Sequence, residues 1–157
     1  MPHTIVYDGG TTTIEVDQDC NTGSHGEWLE LGTFRFAAGN GGYLEISDAG
    51  LTSGSYIGAD GARFLREGVI VVDNGEPGTS SSGDWKDAIG ATEHFGSLSV
   101  YARSVEGAVD SYRFTPDIST AGRYEVAVWN SCFRAGPKTS DRARAARRAA
   151  SGGARSG

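Results

Sequence analysis

Residues 4–17 read Thr-Ile-Val-Tyr-Asp-Gly-Gly-Thr-Thr-Thr-Ile-Glu-Val-Asp. Two runs rich in β-branched residues flank Asp8-Gly9-Gly10, and the second run ends by alternating apolar and polar side chains. A Gly-rich turn between two such runs is typical of a β-hairpin, because glycine readily adopts the positive φ angles that tight hairpin turns need. The stretch therefore predicts two antiparallel strands at the start of the fold.

Further short runs with a period of two follow along the chain, separated by Gly-rich and Asp-rich turns. They cover residues 28–31, 33–36, 43–46, 56–57, 62–65, 97–102, 110–114 and 124–129. Residues 69–72, Val-Ile-Val-Val, are apolar throughout, which predicts a strand that is buried on both faces or lies at the centre of a sheet. Since no segment before the tail has a sustained helical period, we expect an all-β, antiparallel, jelly-roll-like β-sandwich.

Length and composition indicate one compact domain. The chain has 157 residues and a mass of 16.4 kDa, and 24 residues are glycine. No stretch approaches the roughly 20 apolar residues that a membrane-spanning helix needs. Met1-Pro2-His3 leads directly into the first strand without a basic and then apolar leader, so no signal peptide is expected in this chain.

Charge divides the chain into two parts. Residues 1–133 hold 19 acidic and 7 basic side chains, whereas residues 134–157 hold 7 basic side chains and only Asp141. The second part lacks aromatic side chains and aliphatic ones larger than alanine, so it cannot bury enough apolar surface to offset its ordering entropy. We expect a disordered basic tail, or the product of an out-of-frame reading, in preference to an arm that binds nucleic acid or a membrane.

The sequence contains no pattern that predicts catalysis or a metal centre. The three histidines lack the spacings of a zinc site, and the two cysteines do not form a Cys-x-x-Cys pair. Structural calcium bound by aspartates is a second interpretation, but aspartate is also common in Gly-rich turns, and this use is favoured here. The aspartates concerned are Asp17, Asp19, Asp60 and Asp73.

Several stretches carry a resemblance to a known family. Residues 4–10, 16–18, 28–36 and 59–64 resemble the second half of the golvesin C-terminal-like domain, which is also described as the carbohydrate-binding-like domain of xanthan lyases. The first half of the same domain is similar to residues 71–74, 83–85, 112–117 and 121–129. Residues 3–65 thus resemble the second half, and residues 69–133 resemble the first.

The reversed order of the two halves implies the back half of one copy followed by the front half of the next, as in a fragment of a tandem array. Residues 66–68 would link the family's last strand to its first, so residues 1–133 are expected to form one circularly permuted sandwich. Joining residues 69–133 to residues 3–65 is then expected to preserve the strand content. The family pattern is broken at Gly61, which suggests a bulge or sequence drift.

The resemblance implies a non-catalytic, carbohydrate-binding-like accessory module of a secreted or cell-surface bacterial multidomain protein, which could itself be an enzyme. A polysaccharide and neighbouring repeats of the parent chain are the expected partners. Sugar rings stack on exposed aromatic side chains, and Trp85 and Tyr101 are the candidates for this role, whereas Trp28 and Trp129 are expected in the core. The alternative is a structural spacer or adhesion repeat without a glycan ligand.

Family order also bears on Cys20 and Cys132. Cys20 follows the second strand of the first hairpin, and in the family order Cys132 would directly precede the Thr4-Ile5 strand, at the same end of the sandwich. A disulfide is therefore one interpretation for an exported protein, and two separate thiols are the other.

Overall fold

A computed structural model describes residues 1–132, so the predicted tail at 134–157 lies outside the described residues. Within the described part, the secondary structure consists of twelve strands, and no helix is present that could span a membrane. The strands are β1 (Pro2–Tyr7), β2 (Gly10–Glu15), β3 (Trp28–Phe36), β4 (Tyr43–Ser47), β5 (Tyr56–Ala59), β6 (Gly61–Leu65), β7 (Val69–Asp73), β8 (Thr79–Ser82), β9 (Lys86–Asp87), β10 (Val100–Arg103), β11 (Ser111–Phe114) and β12 (Gly122–Trp129).

These strands form three antiparallel sheets. The five-stranded sheet has the order β2-β1-β4-β11-β8, the four-stranded sheet β3-β12-β6-β7, and the three-stranded sheet β5-β10-β9. The opening hairpin forms as the sequence predicts, with Tyr7 opposite Gly10 and Gly9 at a φ of 96°. The prediction of an all-β, antiparallel sandwich is confirmed.

The core lies between the sheets and takes side chains from each of them. Phe36 and Phe64 of the four-stranded sheet meet edge to face, with ring centroids 5.5 Å apart. Ile5 and Phe114 of the five-stranded sheet are fully buried in the same cluster, which Ala59 of β5 also joins. Burial of this one continuous apolar cluster holds the sheets together.

In every sheet, at least one strand from residues 1–65 pairs with a strand from residues 69–132. β11 lies between β4 and β8, β12 lies between β3 and β6, and β10 lies between β5 and β9. Residues 1–132 therefore form a single packed unit, since neither segment could keep its sheets without the other. The assignment of the segments to family halves stays a prediction.

The apolar run 69–72 is not buried on both faces, and this prediction is wrong. β7 is an edge strand of the four-stranded sheet, where Val72 points into the core while Val69 and Val71 are 60% and 39% exposed. A run of valine and isoleucine has high strand propensity on either face, so its composition does not reveal that the outer face lacks a covering layer.

Gly61 keeps a regular register, pairing with Trp129 on one side and Asp73 on the other. The irregularity lies elsewhere, between β12 and β3, where Val126 pairs with Gly32 and Ala127 pairs with Glu30. Gly32 adopts a φ of 131° there, which is readily accessible only to glycine.

Trp28 and Trp129 are only half-buried and do not belong to the core cluster, contrary to the expectation from sequence. They are register partners on the outward face of the four-stranded sheet, with ring centroids 5.4 Å apart. Phe95, from the loop before β10, packs on both tryptophans. Its ring centroid lies 5.1 Å from that of Trp28 and 5.7 Å from that of Trp129. The two tryptophans thus anchor this loop to the outside of the sheet.

Candidate functional site

Tyr101 lies on the outward face of the three-stranded sheet. Its neighbours in β10, Val100 and Ala102, point inward, and Ala102 is fully buried. Antiparallel pairing of β10 with β5 brings Tyr56 to the same face, and the Tyr56 and Tyr101 ring centroids are 5.8 Å apart. Tyr56 is 41% exposed.

Two basic side chains flank these tyrosines. The Arg103 guanidinium lies over the Tyr56 ring, 5.8 Å from its centroid, in a cation–π contact. Lys86 of β9 is the register partner of Tyr101 and forms a 2.9 Å ion pair with Asp84. The hydrogen bond to Asp84 and the charge of its carboxylate raise the pKa of Lys86. We call Tyr56, Lys86, Tyr101 and Arg103 the tyrosine face.

Trp85, the second candidate from the sequence, points the other way. It precedes Lys86 in the chain, and its ring packs against the core residue Tyr112 with centroids 5.1 Å apart. Its indole Nε1 donates a 3.0 Å hydrogen bond to the carbonyl of Ser82. The structure therefore does not bring Trp85 and Tyr101 together on one surface; Trp85 instead fixes the start of β9 against the core.

Cys20 and Cys132 form a disulfide, with their Cα atoms 5.3 Å apart. Next to it, His25 hydrogen-bonds the carbonyl of Cys20 through Nε2 and contacts the carboxylate of Glu93 through Nδ1. Glu93 is the one described non-glycine residue with a positive φ, 61°, and its carbonyl accepts the indole N–H of Trp129. These contacts tie the 88–99 loop to the end of the sandwich that carries the disulfide.

The four aspartates considered as calcium ligands divide between two places. Asp17 and Asp19 serve their own loop: Asp17 accepts the backbone N–H of Asp19 at 2.9 Å, and Asp19 accepts that of Asn21 at 2.7 Å. The hydrogen bond from the Asp19 N–H and a second one from the Thr22 hydroxyl lower the pKa of Asp17. This is the turn use that was favoured from the sequence.

Asp60, between β5 and β6, and Asp73, at the end of β7, lie next to the 88–99 loop. Asp60 is 1% exposed and accepts the backbone N–H of Phe95, at 3.1 Å and 3.2 Å from its two oxygens. Burial raises the pKa of Asp60 to about 7, and it also raises the pKa of Asp73. Over residues 1–132, no three acidic, histidine or cysteine side chains form a group suited to a metal ion.

Comparison with known proteins adds one finding to this geometry. Residues 1–66 match the family model of the Golvesin C-terminal domain. The match confirms the family resemblance inferred for residues 3–65, and this family suggests an accessory domain of a larger, extracellular protein. No curated protein and no solved structure matches the chain significantly.

The sequence does not mark Tyr56 and Arg103, or the neighbouring Lys86, as site residues. Tyr56 and Arg103 alternate with buried neighbours, Ile57 and Ala102, so their outward direction could be inferred from a period of two. The proximity of Tyr56 to Arg103 could not be inferred from the sequence, because β5 and β10 are more than 40 residues apart and pair only in the folded sheet. Of the four residues of the tyrosine face, only Tyr56 lies in the segment that matches the golvesin model. The other three lie in the later part of the chain.

Proposed function

We propose that this domain is a non-catalytic carbohydrate-binding accessory module of a larger secreted bacterial protein, and that the tyrosine face contacts the glycan. The observation that carries the proposal is the side-by-side arrangement of Tyr56 and Tyr101 on the outer face of one sheet, with Arg103 and Lys86 beside them. Aromatic rings stack on the C–H faces of sugars, and neighbouring charged groups donate hydrogen bonds to sugar oxygens.

Trp85 has a supporting role in this proposal. Its ring is partly buried against Tyr112, so it positions Lys86 and Asp84 at the edge of the tyrosine face. Replacing Trp85 with alanine is expected to lower stability through lost packing, in addition to any effect on binding.

Binding is tested by native electrophoresis through gels that contain either a neutral β-glucan or a polyuronate. The wild-type domain is expected to be retarded. The affinity derived from the retardation is expected to be about tenfold lower for Tyr101→Ala and for Tyr56→Ala, since one stacking aromatic contributes about 1 to 1.5 kcal/mol. Tyr43→Ala is the matched control, because Tyr43 packs under Arg113 in the five-stranded sheet, away from the tyrosine face.

Salt dependence separates the two glycan classes. Because residues 1–133 carry a strong excess of acidic groups, long-range repulsion opposes a polyanion, and binding to the polyuronate is expected to strengthen as salt rises. Binding to the neutral glucan is expected to change little. If neither glycan retards the folded domain at millimolar concentration, the proposal fails and a spacer or adhesion repeat without a glycan ligand takes its place.

A further inference from the structure

A cavity lies next to the tyrosine face, between the loop 48–55, which leads into Tyr56, and the loop 104–110, which follows Arg103. We call it the end pocket; it has a volume of about 490 Å³. The two loops are joined by backbone hydrogen bonds: Gly54 N–H donates to Ser104 O, and Ser104 N–H donates to Ser55 O, each at 2.8 Å. The pocket is thus a formed feature between two connected loops and has the size typical of small-ligand sites.

Asp48 lines the end pocket and is only 3% exposed. Its Oδ1 accepts the backbone N–H of Asp110 at 2.8 Å, but its Oδ2 is buried without a hydrogen-bond partner among residues 1–132. No described residue forms an ion pair with it. A buried carboxylate oxygen that lacks a donor is costly, so a ligand donor that reaches Oδ2 from the pocket would supply an interaction that the described residues do not.

The remaining lining residues define the chemistry of the donor. Val105 and Val109 are each 58% exposed, so both leave apolar surface at the pocket, next to the Ser53 side chain. Glu106 is a second acidic lining residue, and none of the lining residues is basic. Apolar walls with two acidic groups favour a ligand that combines C–H surface with a positively charged donor, and they disfavour an anion.

We infer that the end pocket binds the protonated amino group of an unacetylated amino sugar, which donates to Asp48 while its ring contacts Val105 and Val109. The inference rests on the proposed carbohydrate-binding function and adds a ligand class to it. Acetylation removes the positive charge and adds bulk, so an N-acetylated sugar of the same length lacks this interaction.

The test compares binding of glucosamine tetramers with binding of N-acetylglucosamine tetramers, measured by calorimetry at pH 6 on the folded domain. We expect the glucosamine tetramer to bind at least tenfold more tightly. Asp48→Asn and Glu106→Gln are each expected to reduce this preference at least threefold, because each removes a negative charge from the pocket. Glu106→Gln keeps the test valid if Asp48→Asn fails to fold, since Glu106 is an exposed side chain.

Glu67→Gln is the matched control, because it removes the same charge at the β6–β7 turn, far from the pocket in sequence, from a side chain that is 90% exposed. It should keep the full preference, which separates a local effect from one of net charge. Equal binding of the two tetramers, or a preference unchanged in Glu106→Gln, would overturn the inference. In either of these cases, retention of a neutral glucan that depends on Tyr101 would leave the proposed carbohydrate-binding function intact. If that retention were also absent, the proposed function and the end-pocket inference would both fail.

Discussion

Two buried side chains, His3 and Asp60, have pKa values that are displaced in opposite directions. His3 is fully buried in β1, where Nδ1 hydrogen-bonds the carbonyl of Met1, and burial lowers its pKa from 6.5 to about 4. Burial raises the pKa of Asp60 from 3.8 to about 7. Both shifts disfavour the charged form, as expected for ionisable groups that are removed from water without a compensating ion pair.

These shifts predict opposite pH dependences of stability. Between pH 4 and 6.5 the unfolded chain binds the His3 proton and the folded chain does not, so the His3 contribution to stability increases with pH. Between pH 3.8 and 7 the folded chain retains the Asp60 proton, so the Asp60 contribution decreases as pH rises. Each group changes the free energy of unfolding by at most about 1.4 kcal/mol per pH unit.

Asp60→Asn should therefore make the slope of stability against pH more positive between pH 4 and 7. The measurement is a series of urea unfolding curves across this range for the wild type and the variant. Glu27→Gln, at an exposed position, is the control and should keep the wild-type slope. Parallel curves for Asp60→Asn and the wild type would contradict the assignment of the proton to Asp60.

At the scale of the strand, the missing side chain of Gly61 leaves room for the 88–99 loop to pack on the four-stranded sheet. A Cβ atom built at Gly61 would lie 3.5 Å from Phe95 and 3.5 Å from Trp28, which is ordinary van der Waals contact. The space above this glycine is thus already filled by the aromatic rings that hold the 88–99 loop. A side chain longer than alanine would displace the Phe95 ring and strain the hydrogen bond that the Phe95 backbone N–H donates to Asp60.

Gly61→Ala is expected to change the free energy of unfolding by less than about 1 kcal/mol, whereas Gly61→Leu is expected to cost about 1 to 3 kcal/mol through overpacking. Chemical unfolding followed by tryptophan fluorescence measures both, since Trp28 and Trp129 adjoin the site. Equal stabilities of the alanine and leucine variants would show that the 88–99 loop does not pack on this face.

At the scale of the whole molecule, the disulfide closes most of the described chain. Cys20 and Cys132 are 112 residues apart, and they connect the loop after the first hairpin to the segment after β12. The backbone pairing of Thr92 with Cys132 attaches the 88–99 loop to the same point. Because a long closed loop restricts the unfolded chain strongly, the bond is expected to stabilise the fold substantially.

The double variant Cys20→Ser/Cys132→Ser is expected to lose about 5 kcal/mol of stability by the chain-entropy estimate for a loop of this length. Comparing its thermal unfolding with that of the oxidised and the reduced wild type tests this. The reduced wild type should resemble the variant. A thermal unfolding midpoint that changes with neither reduction nor substitution would show that the disulfide does not stabilise the fold.

The sequence by itself determined that this is an antiparallel all-β domain. Alternation in residues 4–17 and in the later runs assigns each side chain to one of two faces, and the Gly-rich turns set the strand ends. The resemblance of residues 3–65 to the golvesin domain likewise required no structure. These features are local, since each depends on neighbours within a few positions along the chain.

Only the tertiary structure decided which strands pair and which faces lack a cover. It joined β5 to β10, so that Tyr56 meets Tyr101, and it turned Trp85 towards Tyr112. It also placed β7 at an edge and brought Asp48 beside Asp110. A period of two is the same for a central strand and an edge strand, so pairing is selected by the long-range packing of the core and cannot be read from any single run.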